Sequence, residues 1–110
     1  MRKTMDAALG RDPHRDVLRF RSPNAEVALP ALRGRQLREW KARYAVAARR
    51  HALTSEYQGS LSDQSAAIAD LILAYDRSGV LGGRDQFTRT WTHEQASQLL
   101  KLIVSSIERG

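Results

Sequence analysis

The chain contains no cysteine among its 110 residues. That excludes a disulfide framework, a thiolate zinc site, an iron–sulfur cluster and a cysteine nucleophile. A reducing compartment is permitted. No apolar run approaches the roughly 20 residues needed to cross a bilayer, so no membrane partner is expected. After Arg2 and Lys3 the residues Asp6, Gly10 and Arg11 interrupt any apolar stretch, so no signal peptide is expected either. Internal repeats and low-complexity tracts are missing.

Catalytic motifs are missing as well. There is no G-x-S-x-G elbow, and no local pattern pairs a serine with a histidine. His14, His51 and His93 are the only imidazoles, and none has the converging donors that a metal requires. Asp70 and Asp76, six apart on one helix, fall on different faces. Gly79 and Gly82-Gly83 follow a helix and lack the Lys-Ser/Thr of a phosphate loop, so a plain turn is the better reading. No enzyme, metal or cofactor is expected.

What is present is an ordinary soluble composition, 42% hydrophobic and 27% charged, with an uneven charge. The formal net charge is +6. Residues 1–53 hold 13 basic and five acidic side chains, giving +8, whereas residues 54–110 hold five and seven, giving −2. Most of the basic groups are arginines, whose planar fork suits phosphate and carboxylate alike. The partner is therefore nucleic acid or an acidic protein surface, and the plain alternative is a solvated basic face. Charge separated in this way also favours head-to-tail association of identical subunits.

The length allows one domain. Residues 1–13 show no period and read as an arm, with Met5 as an alternative start to Met1; residues 14–110 read as one domain. Val17, Leu18, Phe20, Val27 and Leu29 alternate with polar residues around Ser22-Pro23-Asn24, which predicts a hairpin over 16–29. Hairpins alone are marginal in water, so this one must pack on helices or pair with another chain.

Three long helices follow, at about 33–52, 63–78 and 93–108. In the first, Leu37, Trp40, Tyr44, Ala47 and Ala48 form a stripe roughly 100° wide. Arg35, Arg38, Arg43, Arg49 and Arg50 lie opposite it, with Gly34 marking an irregular start. The segment 54–61 is a polar connector in which Tyr57 is expected to pack. The second helix starts with Ser62 as N-cap and Asp63 favouring the dipole, carries Ile68, Leu71, Ile72 and Tyr75 on one face, and stops with Gly79 at C′. Arg84 to Arg89 suggest one loose turn. The last helix opens with a Thr92–Gln95 capping box and Trp91 positioned to staple on Ala96. The fold class is α+β and mostly helical, with an N-terminal hairpin packed against about three helices.

The basic first helix meets the composition of a nucleic-acid surface, but Trp40 and Tyr44 fall on the core stripe. That leaves arginines for phosphate attraction without base stacking. The connector at 54–61 is too long for a helix-turn-helix. Membrane binding is disfavoured because the apolar face is alanine-rich and better suited to helix packing.

Three stretches carry a family resemblance: VALPALRGRQLREW at 27–40, LILAYDRSGVLGG at 71–83 and WTHEQASQLLKLIVSSIE at 91–108. In these, over about residues 15–108, the chain resembles the small tail assembly chaperones of long-tailed bacteriophages. The resemblance implies a non-enzymatic role in the cytoplasm of a bacterial host. Such chaperones bind the tape measure protein, keep its helices soluble and recruit tail tube subunits, and many also occur as a frameshifted longer form. The family has no catalytic motif to carry over. From the residues themselves, the expected contact surface is Arg19, Arg21, Arg35, Arg38, Arg43, Arg49 and Arg50, with the hairpin edge available for strand addition and stacking of identical copies. The alternative is a small basic nucleic-acid-binding regulator.

Overall fold

A computed structural model describes residues 17–21, 26–53 and 59–109. The elements are β1 (Val17–Arg21), β2 (Glu26–Pro30), α1 (Gly34–His51), α2 (Leu61–Tyr75), α3 (Arg84–Thr90) and α4 (His93–Arg109). The α+β, mostly helical class holds, with a fourth helix: α3 has seven residues where one loose turn was expected.

The strands pair antiparallel, with Leu18 opposite Leu29 and Phe20 opposite Val27. These four side chains turn inward, and Leu29 is fully buried. The second strand runs one residue beyond the expected end at 29, because Pro30 belongs to β2 and pairs with Val17. A proline is tolerated there because it ends an edge strand. The hairpin is held by the rest of the domain through Phe20, which stacks on Trp91 at 5.5 Å between ring centroids; Trp91 in turn stacks on Phe87 at 5.2 Å. Pairs of this kind add a little beyond their area burial.

Helix α2 is the centre of the molecule. It packs against α1, α3 and α4, and places Ile68, Leu71, Ile72 and Tyr75 in the core with Leu99, Leu100 and Ile103 of α4. Its N-cap is Ser60, whose hydroxyl accepts from Ser62 N–H; Ser62 itself lies in the first turn. Its end also differs from expectation. The helix stops at Tyr75, and the C-cap is Asp76 with φ −83°. Gly79 has φ 74°, but it serves the following turn, donating its N–H to the Asp76 carbonyl. Asp76 is 7% exposed and accepts the Val80 N–H at Oδ1 and the Leu81 N–H at Oδ2. A buried carboxylate with two backbone donors terminates the helix, which made a glycine cap unnecessary.

Helix α1 is the least embedded of the long helices. Only Trp40 is fully buried, with Leu37, Tyr44 and Ala47 packed partly against the core. Its start has no side-chain cap and no acid in the first turn, and Gly34 supplies φ 56° there. Its end carries Arg49, Arg50 and His51, which suit the negative end of the dipole, and closes on Ala52 in the left-handed region. The capping box of α4 forms in both directions: Thr92 N–H donates to Gln95 Oε1, and Gln95 N–H donates to Thr92 Oγ1. The arm at 1–13, Met1, Met5, His14, the Ser22-Pro23-Asn24 turn and Tyr57 lie outside the described residues.

Candidate docking surface

The periodicity of α1 sets Arg35, Arg38 and Arg49 opposite its aromatic residues, whereas Arg43 and Arg50, expected on that same outer side, stand beside the apolar stripe next to α2. Trp40 stacks on Tyr44, with centroids 5.5 Å apart and planes at 10°, and meets Tyr75 edge-on. Burial raises the pKa of the Tyr44 hydroxyl, and the nearby Glu108 adds to the effect. The aromatic side chains of this helix are thus spent on packing. Arg35, Arg38, Arg43, Arg49 and Arg50 are all exposed, as is Lys41. At 100° per residue, Arg38 and Arg49 lie side by side on the outward face, with Arg35 nearby, whereas Arg43 and Arg50 lie toward α2.

Between α1 and α2 runs a groove of about 910 Å³. Its floor is made of small apolar side chains from both helices, among them Ala42, Ala47, Ala66, Ala67 and Ala74, with Val46 standing 56% exposed at one wall. Arg43, Arg50 and Arg84 line it, together with Asp63 and Asp70. Arg84 pairs with Asp70 Oδ1 at a half-exposed position, where an ion pair contributes little stability. A second groove of about 460 Å³ lies between the end of α1, α2 and α4, lined by Tyr44, Leu53, Ile68, Lys101 and Glu108 among others.

The two hairpin arginines stand elsewhere. Arg19 and Arg21 are exposed on the outer face of β1, opposite Ala28 and Glu26. Arg21 and Glu26 are cross-strand neighbours of opposite charge, a pairing that favours the register. The structure therefore gathers Arg35, Arg38 and Arg49 on one face of α1 and Arg43 with Arg50 on another. Arg19 and Arg21 sit on a separate element.

The glycine turn does not offer a phosphate cradle, because the Val80 and Leu81 N–H groups already donate to Asp76. Among the described residues there is no cluster of His, Asp or Glu suited to a metal ion. No described helix is long and apolar enough to cross a membrane.

Two features were not legible in the sequence. Ser65 Oγ lies 2.6 Å from His93 Nδ1, joining α2 to the first residue of α4 across 28 positions. Neither residue lines the grooves described above, and the contact ties two helices together. The other feature is the α1–α2 groove, to which Arg84, Asp63 and Asp70 contribute. The seven-residue spacing of Arg43 to Arg50 and of Asp63 to Asp70 was its only sequence signal. The chain matches no protein-family model, no curated protein sequence and no solved structure.

Proposed function

We propose that the chain is a non-enzymatic binding and assembly protein that docks an acidic protein surface, and that it acts as a tail assembly chaperone of the long-tailed phage kind. In that role it holds a tape measure protein soluble in the host cytoplasm and brings tail tube subunits to it. The observation that supports this reading is the division of labour on α1. Its aromatic residues face the core while Arg35, Arg38 and Arg49 face outward, which suits docking by charge and hydrogen bonding. A nucleic-acid surface that used this helix would have phosphate contacts alone, without a base-stacking platform.

Co-expression with the tape measure protein encoded in the same genome tests the reading. A stoichiometric complex is expected, weakened by salt and by Arg38→Glu with Arg49→Glu. Absence of a complex on co-expression overturns it. Salt-sensitive retention of duplex DNA, lost on the same substitutions, would assign the chain instead to the basic nucleic-acid regulators.

A further inference from the structure

The walls of the α1–α2 groove carry opposite charges at matched heights. Arg43 and Arg50 stand on the α1 wall, and Asp63 and Asp70 stand on the α2 wall. Each pair is separated by roughly two helical turns. The helices run antiparallel: Trp40, early in α1, bonds to Leu71 late in α2, while His51 at the end of α1 lines the groove with Asp63 at the start of α2. Arg43 therefore stands level with Asp70, and Arg50 with Asp63. Among the described residues neither arginine forms an ion pair across the groove.

We infer that this groove is the contact between two copies of the chain, packed face to face about a two-fold axis parallel to α1 and α2. Such an axis lays α1 of one copy over α2 of the other and keeps every residue at its own height. Arg43 then meets Asp70 of the second copy, and Arg50 meets its Asp63. The symmetry makes each contact twice. Arg84 occupies Asp70 Oδ1, which leaves Oδ2 for the incoming guanidinium. The alanine floor lets the helices approach closely, and the exposed Val46 of each copy covers the alanines of the other. An acidic helix from another protein would satisfy the arginine wall but place like charge on the aspartates, and a basic helix would do the reverse. A second copy satisfies both walls. The contact leaves Arg35, Arg38 and Arg49 facing outward, and it does not depend on which assembly the protein serves.

Sedimentation of the intact chain tests the inference. A monomer–dimer equilibrium is expected, shifting toward monomer as salt rises. Arg43→Glu with Arg50→Glu makes both walls acidic, and Asp63→Arg with Asp70→Arg makes both basic. Each double variant should weaken self-association by at least about tenfold, as expected for lost interfacial ion pairs. Mixing the two variants should restore a dimer containing one of each. Ala66→Trp, at an exposed groove position, obstructs the contact without altering a charge and should also give a monomer with native circular dichroism. A wild-type chain that stays monomeric at every concentration overturns the inference, as does Ala66→Trp dimerising at wild-type strength. Folded charge variants that fail to combine on mixing overturn it equally.

Discussion

The Trp40 indole Nε1–H donates to the Leu71 carbonyl at 2.8 Å in the buried seam between α1 and α2. It is the one fully buried side chain of an 18-residue helix, and it reaches 31 positions along the chain to a backbone acceptor. The same ring stacks on Tyr44 and meets the edge of Tyr75. One residue therefore supplies the apolar burial, the aromatic packing and the buried hydrogen bond that seat α1.

Trp40→Phe keeps an aromatic ring but removes the donor and part of the volume. It is expected to cost about 1–3 kcal/mol, the range for an unsatisfied buried partner. Trp40→Ala adds a cavity and should cost roughly 3–5 kcal/mol. Urea unfolding followed by circular dichroism measures both. A Trp40→Ala chain as stable as the wild type would show that α1 is held by other contacts.

Asp76 gives a second expected outcome. Its carboxylate accepts two backbone N–H groups, the half-buried one of Val80 and the buried one of Leu81. Asp76→Ala orphans the buried Leu81 N–H, at about 1–3 kcal/mol, and leaves the half-buried Val80 N–H to water at a smaller cost. Asp76→Asn retains one acceptor oxygen and should fall between the alanine variant and the wild type. Thermal unfolding of the three chains would rank them in that order.

Two tyrosines contribute to stability at alkaline pH. Burial raises the pKa of Tyr75 above its ordinary value of 10.0, with the Leu32 backbone and Arg33 pulling weakly the other way. Tyr44 is raised by burial and by Glu108. A raised folded-state pKa means that the folded chain holds its proton where the unfolded chain has already released it. The associated stability is fully present below pH 10.0 and is lost as pH rises above it through the folded-state values. Absorbance titration should show these phenols ionising late, together with unfolding. Ionisation of both at the ordinary value, with the fold intact, would contradict this.

Arg35→Glu with Arg38→Glu separates binding from stability. Helix α1 has no acid in its first turn, so a glutamate at Arg35 complements the dipole and should stabilise it by roughly 0.3–1 kcal/mol. The same change reverses charge on the outward face and should weaken an acidic partner. A rise in Tm together with loss of the complex is the expected result. Undiminished binding would place the contact elsewhere.

Much of this was readable from local pattern. The hairpin alternation, the α1 stripe and the capping box each depend on residues within a turn or two of one another, and each formed. The start and stop of α2 differ from the local pattern because serines occupy both 60 and 62, and because a glycine near a helix end suggests a cap. The choice between Gly79 and Asp76 depended on whether the carboxylate would be buried against its own turn. No spacing reports that.

By itself the sequence determined which side chains each element would bury and which it would leave in water, because hydrophobic periodicity acts on one helix or strand at a time. It placed Trp40 and Tyr44 inward and Arg35, Arg38 and Arg49 outward on α1, but it also set Arg43 and Arg50 on that outer side, where the structure puts them beside α2. The tertiary structure decided which elements meet. It set Trp40 on Leu71, Ser65 on His93, and Arg43 and Arg50 across a groove from Asp70 and Asp63. These contacts join residues far apart in the chain, and their geometry comes from the packing of α2 against its neighbours. The basic half of the chain is thus divided among three places: the outward face of α1 with Arg35, Arg38 and Arg49, the groove where Arg43 and Arg50 face the acids of α2, and β1 with Arg19 and Arg21.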